Sequence, residues 1–450
     1  MKFFTNKLLF LKSFLVLSFF IPLNAYAIDN DLINNSSLSF SKINLQSSTI
    51  NESDYFEFIR DSIITQPEFL YANSKFLEKN QALKFEQRQR WPELSVRIIN
   101  DEVIDRKINE LTSLRKRQDD SFDAAFELSQ PLYTGGSINA RIKRSLSDKN
   151  LSRLEKENAL STLILDANEI YLSAVRSDAL YNYSEKVINE IEPYLSRVQE
   201  RVQLGISDPI QLALFMIKYN TLKSQVQRLK AERNSDIGIF EYFFGKKFNN
   251  MFFPNIFIPY VEMNRSSEAY AVKASKIQYE GMKEDTKLAK SEFRPQFGLN
   301  TRYTIYDIDE KENDTDIRGG LYFSMPLFNF GRASAKISSA QAKENAFKMS
   351  IDVEKKKDDV KENEIVNLMK SSLNTRLEII EAFEDTKNQR RIIKNRLDST
   401  NFSPEAFVNA GIEEINLFKQ ALDIEISLIQ GYFSYLHQNQ ELNNHIRIKL

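Results

Sequence analysis

Gln130-Pro-Leu-Tyr-Thr-Gly-Gly136 recurs as Met325-Pro-Leu-Phe-Asn-Phe-Gly331, about 200 residues further along the chain. A second pair has a similar separation: Arg90-Trp-Pro-Glu-Leu94 recurs as Phe293-Arg-Pro-Gln-Phe297. Similarity at so long a spacing indicates a two-fold duplication rather than a solenoid of short repeats. The sequence therefore predicts two halves, each running helix, strand, loop, strand, helix, helix.

The predicted boundaries follow from this duplication. Residues 51–243 form the first half, 244–264 an aromatic linker that contains prolines, and 265–450 the second half. Residues 1–27 have the pattern of a signal peptide, with lysines before a short apolar run and small residues at the cleavage site. The alternative is a membrane anchor, which normally needs about 20 apolar residues. Residues 28–50 are rich in Asn and Ser, and we assign them no structure or role.

The composition limits both the fold and the chemistry. The 450 residues include 12 Gly and 11 Pro, which is too few turn residues for a many-stranded sandwich or a βα barrel. With 61 basic and 62 acidic residues the net charge is −1, so nothing favours a nucleic-acid partner. The chain contains no cysteine, which excludes disulfides, thiol nucleophiles and cysteine metal sites.

Four segments alternate between apolar and other residues with the period of a strand. They begin near Glu93, Phe122, Gln296 and Ile317. A strand with lipid on one side and water on the other has this pattern. An ordinary half-buried antiparallel strand has it too, so alternation alone leaves both open.

Long helices are predicted next to these strands. From Arg332 to Ser403 the chain has neither Gly nor Pro, and apolar residues recur at steps of three and four. At ~1.5 Å per residue such a helix spans roughly 100 Å. The first half has a matching segment from Ser137 to Leu204. Helices of this length bury their apolar stripes against one another.

Each long helix is predicted to end at a glycine-centred turn. The first turn is Arg201 to Pro209 and the second is Phe407 to Glu414. In each turn a glycine, Gly205 or Gly411, supplies the left-handed residue that follows a helix.

At this point the sequence resembles the TolC-type outer membrane efflux protein family. The resemblance is carried by Pro131-Leu-Tyr-Thr-Gly-Gly136, by Pro326-Leu-Phe-Asn-Phe-Gly-Arg332 and by the turn Arg201-x-x-x-Gly205-x-Ser207-Asp208. It covers nearly the whole chain after about Asn51.

The resemblance implies a mainly α fold with a small antiparallel β part. Duplicated long helical hairpins would form a periplasmic α-barrel, and four strands per protomer would contribute to a trimeric, twelve-stranded transmembrane β-barrel. The strands independently require an oligomer if they enter lipid. Four strands cannot close a barrel, and open edges would leave backbone groups unsatisfied.

The resemblance also implies functional positions. The tip turns that dock an adaptor would contain Arg201, Leu204, Gly205, Ser207, Asp208, Ala410 and Gly411. The candidate acids of the periplasmic aperture are Asp208, Glu413 and Glu414. Their alternative role is to place negative charge at helix N-termini, where the helix dipole favours it. The strand-to-helix junctions would be Pro131, Gly135, Gly136, Pro326, Gly331 and Arg332.

The expected function is an exit duct of a tripartite efflux or type I secretion system. The homotrimer would lie in the outer membrane of a Gram-negative type envelope, with most of the chain in the periplasm. A periplasmic adaptor (membrane fusion) protein and an inner-membrane transporter, ABC or proton-driven, would deliver the cargo for passive conduction. No cofactor is expected. The sequence does not identify the cargo, the transporter or the adaptor.

Two other classes of function compete with the duct. One is a periplasmic coiled-coil adaptor or scaffold that never crosses the membrane. The other is an enzyme, which the sequence disfavours because it lacks His-Glu-x-x-His, Gly-x-Ser-x-Gly and cysteine. His437 and His445 lie near the C-terminus, and we expect both to be solvated helix residues.

Overall fold

Long helices and a four-stranded sheet make up the computed structural model. It describes residues 49–102, 104, 121–249, 251–258, 267–309, 314–396 and 403–448. The predicted signal peptide, almost all of residues 28–50 and part of the linker 244–264 lie outside these residues. The helices are α1 (Glu52–Ile63), α2 (Pro67–Arg88), α3 (Ser137–Gln203), α4 (Pro209–Phe244), α5 (Tyr270–Ser291), α6 (Arg332–Asn395), α7 (Pro404–Gln438) and α8 (Leu442–His445).

The strands form two sheets. They are β1 (Ile50–Asn51), β2 (Glu93–Asp101), β3 (Ser121–Thr134), β4 (Pro254–Asn255), β5 (Gln296–Ile305) and β6 (Thr315–Ser324). The short strands β1 and β4 pair in parallel. The larger sheet has the order β2-β3-β5-β6, and every neighbouring pair in it is antiparallel. The four alternating segments of the sequence are thus the four strands of one sheet.

The two hairpins of the larger sheet have the same register. In the first, Glu93 is opposite Ser129. In the second, Gln296 is opposite Ser324. These pairs become equivalent when Pro92 is aligned with Pro295 and Pro131 with Pro326, as the sequence similarity requires. The hairpins therefore correspond residue by residue.

The long helices follow from continuous helix-forming sequence. The 67 residues of α3 run through Pro193, and α6 has 64 residues. At ~1.5 Å per residue both are roughly 100 Å long. The helix α3 packs against α2, α4, α5 and α7, while α6 packs against α5 and α7. The prediction of long helices that cover one another is confirmed.

Aromatic residues hold α1 against α3 and α4. Tyr55 is fully buried with its ring 4.9 Å from that of Tyr171, and its hydroxyl donates a hydrogen bond of 2.7 Å to Asn168. The rings of Phe58 and Phe244 are 5.0 Å apart. Among the described residues, no helix is long and apolar enough to cross a membrane.

Candidate functional site

The first predicted turn lies between α3 and α4. Gly205 has φ +70°, as the prediction required. Its N–H donates to the carbonyl of Val202 (3.0 Å), and the N–H of Ile206 donates to that of Arg201 (2.8 Å). These two bonds define a Schellman motif, which satisfies carbonyls that the end of a helix leaves free.

The next helix starts immediately after this turn. Asp208 is the N-cap of α4, and its carboxylate accepts a hydrogen bond of 2.8 Å from the N–H of Ile210. Pro209 follows at the first helical position, where a missing N–H costs nothing. The guanidinium of Arg201 donates to the hydroxyl of Ser207 (3.2 Å) and joins the two sides of the turn. Asp208 is exposed and caps α4. It thus places negative charge at a helix N-terminus, which is the predicted alternative to lining the aperture.

Apolar side chains project from this turn. In a Schellman motif the residue in the position of Ile206 commonly packs back onto the helix. Here the helix position that it would pack against is occupied by Arg201, which is not apolar. As a result, 61% of Ile206 is exposed. Further exposed apolar residues follow at helical spacing along α4. We call this group the tip patch; it comprises Leu204, Ile206, Ile210, Leu214 and Ile217.

The second turn does not lie at Phe407 to Glu414, where the sequence pattern predicts it. The helix α6 ends at Asn395 and α7 begins at Pro404, so Ala410 and Gly411 lie inside α7. Residues 397–402, which connect the helices, are outside the described residues. A Cβ on Gly411 would lie 2.8 Å from Ile191 Cδ1. This glycine therefore permits close packing of α7 on α3 and does not form a turn.

A sequence signal for the true position was available. Pro404 follows Pro209 at the same separation as Pro326 follows Pro131. Ser403 then corresponds to Asp208, and both are N-caps in front of a proline. The start of α7 lies close to the first turn, because Pro404 lines a cavity of about 90 Å³ with Arg201, Asp208 and other residues of that turn.

Of the other two aperture candidates, Glu413 is exposed and Glu414 is fully buried. Glu414 contacts the guanidinium of Arg390, with Nη2 at 3.2 Å, and accepts a hydrogen bond from the Tyr183 hydroxyl. It therefore cannot line a water-filled opening as predicted. A buried carboxylate needs such partners because an unpaired charge is costly in the interior.

Arg390 is the centre of a network that joins three helices. Besides Glu414 on α7, its Nη1 contacts Glu190 Oε2 on α3 at 2.8 Å. Burial alone lowers the pKa of Arg390, but the bonds to Glu414 and Glu190 outweigh it and leave this pKa raised. Burial, followed by the charge of Glu414, raises the pKa of Tyr183 well above its usual range. The sequence did not reveal this network, since Arg390 and Glu190 are 200 residues apart.

A second ion cluster joins α3, α4 and α7. Arg176 contacts Asp423 at 2.5 Å and Glu232 at 2.9 Å. Each of the three residues lies on a different helix. The helices on both sides of the first turn, α3 and α4, are thus joined to α7 by ion pairs.

The two strand-to-helix junctions have the predicted glycines. Gly136 (φ 94°) and Gly331 (φ 84°) are the left-handed N-caps of α3 and α6. At the first junction a Cβ on Gly135 would lie 2.6 Å from the carbonyl oxygen of Ser291, so only glycine fits against the end of α5. Pro131 lies in β3, while Pro326 follows β6. Arg332 is the first residue of α6.

His437 differs from its expected solvated state. Its Nδ1 lies 2.7 Å from the Ser161 hydroxyl, and its ring lies 5.5 Å from that of Tyr270. Burial, with a smaller effect from Lys361, lowers the pKa of His437 to about 4. The residue lines a cavity of about 380 Å³ between α3, α5, α6 and α7.

No family model and no curated protein sequence matches this chain. Solved structures do match its fold. The outer membrane channel CmeC of Campylobacter jejuni has a TM-score of 0.75 at 12% identity, over 86% of this chain and 85% of that chain. The outer membrane protein VceC of Vibrio cholerae has a TM-score of 0.67 at 12% identity, over 84% and 96%. The open state of the MtrE outer membrane channel of Neisseria gonorrhoeae has 0.64 at 11%, over 86% and 89%.

These likenesses define a class of fold in which long helical hairpins continue from a small antiparallel sheet. It is the fold of TolC-type outer membrane channels. The mainly α fold with a small antiparallel part, which the resemblance implied, is confirmed.

Proposed function

We propose that this chain is one protomer of a homotrimeric exit duct in the outer membrane of a Gram-negative type envelope. One observation carries the proposal: each strand of the larger sheet exposes an apolar face, and the sheet continues into helices that are mostly polar outside their packed stripes. A soluble protein would normally cover such a face, since large exposed apolar patches mark contact with lipid or a partner.

The two faces of the sheet differ in chemistry. The apolar face exposes residues of all four strands, among them Leu94, Val96, Phe126, Leu299, Leu321 and Phe323. The opposite face has charged residues that pair across strands, such as Arg302 and Glu127 at 2.6 Å. An outward apolar face and an inward polar face are typical of strands that enclose water within a membrane.

The duct would serve a tripartite efflux or type I secretion system. The tip patch would dock a periplasmic adaptor, because its apolar side chains surround a turn that hydrogen bonds already stabilise. An inner-membrane transporter would supply the energy, and the cargo would pass through the duct passively. The names of the matched proteins describe outer membrane channels, which supports the duct itself.

Conductance and fractionation test the duct. We expect the full-length protein to fractionate with the outer membrane and to give discrete single-channel steps in planar bilayers. The Asp208→Ala variant, which removes the cap of α4, should increase the conductance. A protein that is recovered from the periplasm without detergent, and that forms no pore in either version, would instead be the coiled-coil adaptor or scaffold.

Docking is tested separately from conduction. Ile206→Glu places a charge in the tip patch, whereas Ile239→Glu changes an equally apolar, exposed residue near the other end of α4. We expect the first variant to lose export in cells and to keep its pore in bilayers. The second should keep both. Equal export by the two variants would contradict a docking role for the tip patch.

A further inference from the structure

The helical segments next to the larger sheet carry an excess of positive charge. Twelve residues on the helix side of each strand are 81–92 before β2, 135–146 after β3, 284–295 before β5 and 325–336 after β6. Together these four segments, which we call the basic band, contain eleven basic and four acidic residues. Their net charge is +7, whereas that of the whole chain is −1. Positive charge is thus concentrated where the helices meet the sheet.

Several cations of the basic band have no partner within the chain. Lys84, Arg88, Lys143 and Arg332 are all exposed. Among the described residues, no carboxylate lies within ion-pair distance of any of these four side chains. The fold does not use their charges for its own ion pairs, so they are available to an anion from outside the chain.

The acids of the basic band do not neutralise these four cations. Three of the four acids are already bound to other cations of the band: Glu284 to Lys287 at 2.7 Å, Asp285 to Arg144 at 3.2 Å, and Glu292 to Lys336 at 2.5 Å. The excess of positive charge therefore remains when the internal ion pairs are counted.

Large apolar side chains are exposed within the same segments. They are Phe85 (66%), Trp91 (72%), Leu327 (90%), Phe328 (76%) and Phe330 (91%). Aromatic rings at the boundary of the hydrocarbon, with lysine and arginine that extend to the headgroups, are typical of a surface at the edge of a bilayer. An acidic partner in water would bind the cations but would leave these rings without cover.

One contact connects the basic band to the apolar side of the sheet. By the alternation of β3, Gln130 belongs to the same face as Leu128, and it lies opposite Leu299. Its side-chain amide donates a hydrogen bond of 3.0 Å to the carbonyl of Arg90. The segment 81–92 thus reaches the face of the sheet that the proposed function places against lipid.

We propose that the basic band binds the headgroups of anionic phospholipids in the leaflet that faces the periplasm. Phosphate oxygens accept strong, charge-assisted hydrogen bonds from lysine and arginine. One such cation near a membrane surface enriches an anionic lipid roughly fivefold at low salt. This assignment rests on the proposed function, because only a sheet that lies in the bilayer brings the band to its surface.

Trp91 provides a native probe, because it is the one tryptophan of the chain and lies in the basic band. The full-length protein is reconstituted into equimolar vesicles of phosphatidylglycerol and phosphatidylcholine, in which either one lipid or the other has brominated acyl chains that quench tryptophan. The band variant is Lys84→Gln/Arg88→Gln/Arg332→Gln. The control, Lys223→Gln/Arg228→Gln/Lys230→Gln, removes the same charge from exposed positions on α4. Single-channel conductance shows that each variant has folded.

We expect brominated phosphatidylglycerol to be the preferred quencher of Trp91, by roughly fivefold in relative association constant at low salt. The band variant should lose most of this preference and the control should keep it. Salt at about 1 M should also remove it, because the Debye length is then about 3 Å.

Equal quenching by the two lipids in a protein that conducts would overturn the inference and leave the proposed function intact. The inference would also be wrong if the band variant kept the lipid preference and changed only the reversal potential of the pore, since its cations would then line the lumen. Fluorescence that neither brominated lipid quenches would refute insertion into the bilayer, and with it the proposed function.

Discussion

Two glycines inside helices have different roles at the scale of single residues. Gly411 allows α7 to approach Ile191 and Val187 of α3, whereas a Cβ on Gly238 in α4 would meet no atom within 4 Å. We expect Gly411→Leu to destabilise the protein by about 1–3 kcal/mol, since extra atoms in a packed interface force the helices apart. Gly238→Leu should be neutral or slightly stabilising, because glycine is unfavourable within a helix. Thermal unfolding midpoints in detergent measure both, and equal shifts would contradict the packing role.

His437 should make the fold sensitive to mild acid. Its pKa is lowered to about 4, below the ordinary value of roughly 6.5, so the folded state favours the neutral ring. The unfolded chain binds the proton first as the pH falls, and stability is lost between roughly pH 6.5 and 4. A shift of this size corresponds to about 3 kcal/mol. We expect His437→Gln to lose less stability than the native protein over this range, as followed by denaturant unfolding. Parallel curves would show that His437 does not contribute.

At the scale of elements, the Arg390 network holds α3, α6 and α7 together. Arg390→Met leaves the buried Glu414 carboxylate without its cationic partner and with the Tyr183 hydroxyl still donating to it, and loss of such a partner typically costs about 3–5 kcal/mol. The neighbouring Arg391 is exposed, so Arg391→Met is a matched control with an expected change within about 0.5 kcal/mol. The double variant Arg390→Met/Glu414→Leu should recover much of the loss because it removes both charges. Unfolding free energies decide this, and a double variant no better than Arg390→Met would show that packing, not charge, dominates.

The elements also show what the sequence could and could not predict. The four strands and the first turn depend on local signals, namely alternation and the Gly205-x-x-Asp208-Pro209 pattern, and they were predicted correctly. Gly411 was wrongly assigned to a turn. It is the close packing of α7 on α3 that requires a glycine there, and no local sequence pattern reports that contact. Glu414 was misplaced for the same reason, since its partners Arg390 and Tyr183 lie elsewhere in the chain. The spacing between Pro209 and Pro404 would have located the second turn. The burial of Glu414, in contrast, can be seen only in the three-dimensional packing.

At the scale of the whole molecule, the sheet and the helices define two different environments. The apolar face of the sheet would contact lipid and its polar face would contact water, while the helices would lie in the periplasm. Exposure within a single chain does not distinguish these two faces of β2, because all nine of its residues are exposed. A substitution that is tolerated in water and costly in lipid does distinguish them.

Adjacent residues of β2 provide this comparison. Val96 belongs to the apolar face and Ser95 to the polar face, where it is opposite Glu127. We expect Val96→Arg to cost about 2–4 kcal/mol at the middle of a bilayer and to reduce the amount of assembled protein in the outer membrane. Ser95→Arg should assemble normally, because it places the charge in water and next to a carboxylate. The measurement is the yield of membrane-inserted protein for each variant at equal expression. If the chain were a periplasmic scaffold, neither arginine would meet lipid, and the two variants would give the same yield.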